Sequence, residues 1–140
     1  MIKKFILVIL LNLCIPTFVY AGEEEAESIR VENKTPFHFL GSQIVNFFFV
    51  YSRDDFFIAP DSEIKRVLSD AMFEPAFLLS TQNQSKELCF FSGIDGEFQV
   101  TITYNGCDQK NPHCVIYCNS NMGRDEVAVN YADLLMSFNN

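Results

Sequence analysis

The most regular stretch of the chain is Phe98 to Tyr104, where Phe98, Val100, Ile102 and Tyr104 alternate with Gln99, Thr101 and Thr103. A period of two places one face on a core and the other in water, and predicts a half-buried antiparallel strand. Asn105-Gly106 opens a turn region that runs to Pro112, and His113 to Asn119 returns as the partner strand. The same alternation predicts a strand from Ile29 to Thr35, with Ile29 and Val31 on one face and Arg30, Glu32 and Lys34 on the other. Pro36 ends that strand or confines it to a sheet edge, because proline cannot donate to a ladder. Phe37 and Phe39 then alternate with His38.

Other segments are apolar without alternation. Ile44 to Tyr51 is apolar on both faces apart from Asn46, and holds Phe47, Phe48 and Phe49 in succession. A strand of this kind is buried on both sides or covered by a partner, and a central core strand is the expectation. Phe56, Phe57 and Ile58 repeat the pattern more briefly. After the break at Pro60, Asp61 and Ser62, Ile64, Val67, Leu68 and Met72 fall at helical spacing, with Pro75 as the stop. This predicts one short helix. Ala76 to Ser80 and Leu88 to Phe91 read as strands around the polar loop Thr81 to Lys86. Asp95-Gly96-Glu97 reads as a hairpin turn after Gly93. Asn121 to Asp125 is a loop, Val127, Val129 and Tyr131 alternate as a last strand, and Leu134, Leu135 and Phe138 suit a terminal helical turn. Many short strands joined by Gly, Pro and Asn turns predict a mainly β fold. The expected form is a small antiparallel β-sandwich or barrel with one short helix, stapled by two disulfides.

The first residues do not fit that fold. Lys3 and Lys4 precede the apolar run from Phe5, and Val19 and Ala21 place small residues before Gly22. This is the pattern of a cleavable signal peptide over residues 1–21. Pro16 breaks the run short of the ~20 apolar residues a spanning helix needs. Glu23, Glu24, Glu25 and Glu27 make residues 22–28 an acidic, flexible N-terminus. Residues 29–140 are one β-rich domain by length. The expected location is outside the cytoplasm, secreted or periplasmic, in a bacterium to judge from the Met-Ile-Lys-Lys start.

Export changes the reading of the cysteines. Cys14 leaves with the leader, and Cys89, Cys107, Cys114 and Cys118 remain. Four cysteines in a small exported domain read as two disulfides. If His113 to Asn119 is a strand, Cys114 and Cys118 stand ~13 Å apart. A disulfide needs Cα atoms within about 7 Å. The favoured pairing is therefore Cys107–Cys114 across the turn and Cys89–Cys118 between two strands. A zinc site from Cys107, His113, Cys114 and Cys118 is the rival, but it lacks a CxxC pair. No metal or other cofactor is expected.

Charge narrows the partners. The formal net charge is −8, and it grows more negative once Lys3 and Lys4 are removed. Such a chain repels phosphate backbones, which argues against nucleic acid and leaves a protein, preferably a basic one.

Candidate chemistry is sparse. His38 and His113 are the two histidines, and no orienting third group accompanies either in sequence. No GxSxG, HExxH or phosphate-binding loop occurs. Asp54-Asp55 and Asp125-Glu126 are carboxylate pairs, but neighbours in a chain are usually solvated rather than set across a cleft. No catalytic residue is assigned. Asn33-Lys34-Thr35 and Asn83-Gln84-Ser85 match glycan acceptors and are taken as chance.

The leading expectation is an exported, non-enzymatic binding protein, one concrete form being an acidic inhibitor of a basic secreted enzyme. Its binding residues and oligomeric state are not legible. Two alternatives are a lipid-contacting sandwich that does not span the membrane, resting on Ile44 to Tyr51, and a small carboxylate hydrolase using Asp54, Asp55, Asp125 and Glu126.

Overall fold

In the computed structural model, residues 28–47, 50–67 and 75–135 are described. The leader, residues 22–27 of the acidic segment, and residues 48–49, 68–74 and 136–140 lie outside the described residues. The strands are β1 (Ser28–Asn33), β2 (Phe39–Phe47), β3 (Val50–Ile58), β4 (Ser62–Val67), β5 (Ala76–Thr81), β6 (Glu87–Phe91), β7 (Glu97–Tyr104), β8 (His113–Ser120) and β9 (Gly123–Asn130). A short helix, α1 (Tyr131–Leu135), follows β9.

The strands form two sheets, ordered β9-β8-β7-β1-β4 and β3-β2-β5-β6, packed as an open sandwich with no closure into a barrel. Inward residues alternate with outward ones as the period of two requires: Phe98, Val100 and Ile102 on β7, Cys114, Ile116 and Cys118 on β8, Phe77 and Leu79 on β5. The rings of Phe77 and Phe98, from opposite sheets, meet at 5.7 Å, and Phe91 lies 5.3 Å from Phe98. Their contact bridges the interior. Gly41 makes this packing possible on β2. A Cβ there would lie 2.7 Å from the Phe56 ring and 3.0 Å from Ile58.

Both disulfides join the cysteines of the favoured pairing. Cys89 on β6 bonds Cys118 on β8 across the two sheets, with Cα atoms 6.6 Å apart. Cys107 bonds Cys114 across the turn between β7 and β8, with Cα atoms 5.1 Å apart. The thiols that a zinc site would use are consumed in these bonds.

Four local expectations are overturned. First, the helix expected from Ile64 is strand β4 as far as Val67, and Leu68 and Met72 lie outside the described residues. The spacing also fits a period of two, with Ile64 and Arg66 half-buried and Glu63, Lys65 and Val67 exposed. The free backbone edge of β1 decides between them: β4 pairs along it from Ser28↔Val67 to Asn33↔Ser62. Unpaired backbone groups at a buried edge cost more than the weak helix preference returns. The short helix of the fold is α1 instead.

Second, Ile44 to Tyr51 is not one central strand. It is the end of the β2–β3 hairpin, paired to Phe47↔Val50, with residues 48–49 between the arms. Third, Asp95-Gly96-Glu97 is not a hairpin turn. It carries the chain from β6 in one sheet to β7 in the other, with Gly93 and Gly96 at positive φ. Fourth, the loop after β8 is short, because Ser120 already pairs with Gly123. The sandwich is also not wholly antiparallel: β1 runs parallel to β7.

One corner has no apolar explanation. Asn33 ends β1 and is 1% exposed. Its Nδ2 donates to the carbonyls of Phe37 (2.8 Å) and Ala59 (2.9 Å). Its Oδ1 accepts from Thr35 N (3.0 Å) and Thr35 Oγ1 (2.8 Å). The side chain thereby joins the β1–β2 and β3–β4 connections. An acceptor nitrogen so engaged has no room for a glycan.

Candidate functional site

The outer faces of the two sheets differ in kind. Arg30, Glu32, Glu63 and Lys65 point outward on β1 and β4, Gln99, Thr101 and Thr103 on β7, and Arg124 and Glu126 on β9. That is the ordinary polar exterior of a sandwich. The outer face of β3-β2-β5-β6 carries Leu40 and Leu78 beside Ser42 and Ser80 at its centre, all four buried. Register places Phe57 beside Leu40, and Asp55 beside Ser42, Leu78 and Phe90 in one cross-strand row. Phe57 is 58% and Phe90 53% exposed, whereas Leu40 and Leu78 are buried. Two phenylalanines therefore rise from the edge strands at either side of a leucine floor.

Asp55 is the charged group on this floor. Ser42, itself fully buried, donates Oγ to Asp55 Oδ1 at 2.6 Å. Arg53, two residues along the same strand, donates Nε to the same oxygen at 2.9 Å. Oδ2 has one longer contact, 3.4 Å from Gln84 Nε2. Gln84 sits at positive φ in the β5–β6 loop, so its reach to β3 carries it over β2. Burial pushes the Asp55 carboxyl up, but hydrogen bonds from Ser42 and Arg53, the Arg53 charge and Gln84 outweigh it. The group titrates below its ordinary 3.8. A carboxylate is thus held ionised by polar neighbours, with Oδ1 engaged twice and Oδ2 once.

The residues singled out as carboxylate pairs do not form a catalytic dyad. Asp54 and Asp55 project from opposite faces of β3, and Asp54 bonds Arg66 of β4, tying the adjacent edges of the two sheets. The Arg66 guanidinium lies 4.8 Å over the Phe56 ring, and its Nε and Gln43 Oε1 have no hydrogen-bond partner among the described residues. Asp125 and Glu126 also face opposite ways, on β9, and Glu126 meets Arg124 at 3.5 Å. The β3 and β9 strands are at opposite sides of the sandwich. His38 is exposed beside buried Phe37 and Phe39. His113 is exposed too, at the lip of a shallow hollow of about 230 Å³ with Lys86 and Asn130. A second hollow, about 290 Å³, is lined by Glu32, Lys34, Asp61 and Glu63 at the end of β1 and β4. Among the described residues no three His, Cys, Asp or Glu side chains group as metal ligands. No helix among them is long and apolar enough to cross a membrane.

Fold and cross-links together define a disulfide-stapled, two-sheet β-sandwich. Compared with protein-family models, with curated proteins and with solved structures, the chain matches none.

The sequence pointed to neither Ser42 nor Asp55 as a pair, since their 13-residue separation closes only through the β2–β3 register. A signal for burial on both faces was present, since Ala76 to Leu79 are apolar without alternation, and β5 is buried along its whole length.

Proposed function

We propose that this chain is an exported, non-enzymatic binding protein that engages a protein partner through the outer face of β3-β2-β5-β6. The carrying observation is the exposure of two large aromatic rings on one sheet face, Phe57 at 58% and Phe90 at 53%. Apolar patches that remain on a folded surface mark interaction sites. Two disulfides suit folding in an oxidising compartment, as the expected leader implies. Asp54 and Asp55 face opposite sides of β3, as Asp125 and Glu126 do of β9, which favours a binding role over two-carboxylate chemistry.

The test is a photo-reactive phenylalanine analogue placed at Phe90, or at Tyr117 on the polar exterior, in the protein expressed by its own cells. Covalent adducts of defined mass from position 90 and not from 117 are expected. Equal yields from both positions, or none from 90, would refute the assignment of the face.

A second reading has its own observation. The β2–β3 ladder continues to Phe47↔Val50, and among the described residues β2 pairs with β5 as far as Ile44↔Ala76. The hairpin end is uncharged from Ile44 to Ser52. Lipid contact through that end predicts co-flotation with zwitterionic vesicles, and no flotation with any lipid mixture would end this reading.

A further inference from the structure

Among the described residues β4 is the last strand of its sheet, and its backbone pattern can be worked out from its neighbour. Ser28 N and Lys34 N donate to Gly96 O and Ile102 O along the parallel β7 ladder. The even-numbered residues of β1 therefore turn their backbone groups to β7, and the odd-numbered ones turn theirs to β4. The hydrogen-bonded pairs of β1 and β4 are then Ile29↔Arg66, Val31↔Ile64 and Asn33↔Ser62. Glu63 and Lys65 point their N–H and C=O groups the other way, out of the sheet edge, and both residues are exposed. Such an edge is a template for another strand.

Charge on this edge is unbalanced. Register sets Arg30 beside Lys65 and Glu32 beside Glu63 on the outer face. Like charges directly opposite destabilise a ladder. Arg30 reaches diagonally to Glu63 at 2.9 Å, and Lys34 lies 4.0 Å from Glu32. Lys65 meets no carboxylate among the described residues. Glu63 keeps 52% of its side chain exposed beside Arg30, so it can take a second cation.

A second copy of the chain supplies what is missing. Antiparallel pairing of β4 with itself about Ile64 sets Glu63 against Lys65 of the second copy, and Lys65 against its Glu63. These are the residues whose backbone groups face outward, so each exchanges both N–H···O bonds with its opposite. Ile64, half-buried against the core, meets its own copy on the axis as a close, non-hydrogen-bonded pair. The charged edges elsewhere do not match themselves. On β9, setting Arg124 against Glu126 puts Asp125 opposite Asp125. On β3, setting Arg53 against Asp55 puts Asp54 opposite Asp54.

We infer that this protein pairs with a second copy of itself through β4, antiparallel about Ile64, so that the two five-stranded sheets run on as one. The interface is isologous, as a two-fold dimer requires. The paired strands span only ~17 Å, which places the contact among small, exchanging interfaces. The inference goes beyond the binding role proposed above and does not depend on it, because Phe57 and Phe90 face outward from the other sheet.

The experiment is sedimentation equilibrium of the folded, disulfide-bonded protein from low to high micromolar concentration. Wild-type protein should move from the monomer mass toward twice that mass. Lys65→Glu and Glu63→Lys each place like charges across the axis, and each should weaken association at least about tenfold. An equimolar mixture of the two variants restores opposite charges at every pair and should associate again. Glu126→Gln, on β9, should change nothing. Amide hydrogen exchange of the wild type needs no substitution: Glu63 and Lys65 should exchange more slowly in concentrated than in dilute protein. A wild type that stays monomeric throughout would overturn the inference. So would a dimer that ignores both charge reversals and leaves the Glu63 and Lys65 amides unprotected, or single variants whose mixture fails to associate.

Discussion

Replacing Asn33 by Ala should be among the most damaging single changes outside the apolar core. The side chain is 1% exposed and takes part in four hydrogen bonds with Phe37 O, Ala59 O, Thr35 N and Thr35 Oγ1. Each such bond contributes about 1 kcal/mol net, and a buried group left orphaned costs about 1–3 kcal/mol. The Thr35 hydroxyl can turn to other duties, since it already accepts from Phe37 N at 3.1 Å. The two carbonyls and the Thr35 amide cannot. The expected loss is about 3–4 kcal/mol, at the upper end for single substitutions. Urea denaturation with both disulfides intact should show the midpoint lowered by on the order of 2 M at unchanged slope. Thr35→Val, which removes one hydroxyl, should cost about 1–2 kcal/mol. Asn33→Asp supplies the sign of a pH test. Its ionised carboxyl cannot donate to Phe37 O and Ala59 O, so burial beside these acceptors raises its folded pKa above the unfolded ~3.9. The variant should therefore be most stable in acid and lose stability as pH rises through that folded pKa. A loss below about 1 kcal/mol for N33A would refute the view that this corner is locked by the asparagine.

Three further outcomes follow from the packing. Gly41→Ala should cost about 1–3 kcal/mol by overpacking against Phe56, and a second change, Phe56→Leu, should recover part of it in thermal melts. Asp55 has a lowered pKa, so its contribution to stability is present above the unfolded ~3.9 and is lost as pH falls through the folded value. Wild-type and D55N stabilities should accordingly differ above about pH 5 and converge in stronger acid. The Cys89–Cys118 bond closes a 29-residue separation and Cys107–Cys114 one of 7. Chain-entropy estimates are about 3.6 and about 2.4 kcal/mol, so the Ser/Ser replacement of the first pair should cost about 1 kcal/mol more in urea titrations.

Much of the architecture is written in local pattern. The alternation from Phe98 to Tyr104 is enough to give β7 its inward and outward faces, because side-chain direction in a strand has a period of two. Local geometry also removed one of the three cysteine pairings, since a strand holds residues four apart too far from each other to bond, and the fold decided between the other two. Ile64 to Val67 shows where local pattern stops deciding. Its residues suit either period, and only the open edge of β1 made it a strand. The tertiary structure alone placed Ser42 against Asp55, ran β1 parallel to β7, and set Asn33 between the β1–β2 and β3–β4 connections. It also turned one apolar set of side chains away from the core, toward Phe57 and Phe90. Periodicity records that a residue is apolar and which way it alternates. Which of two apolar faces meets the other sheet depends on the order and pairing of strands distant in the chain, and that is a property of the assembled sandwich.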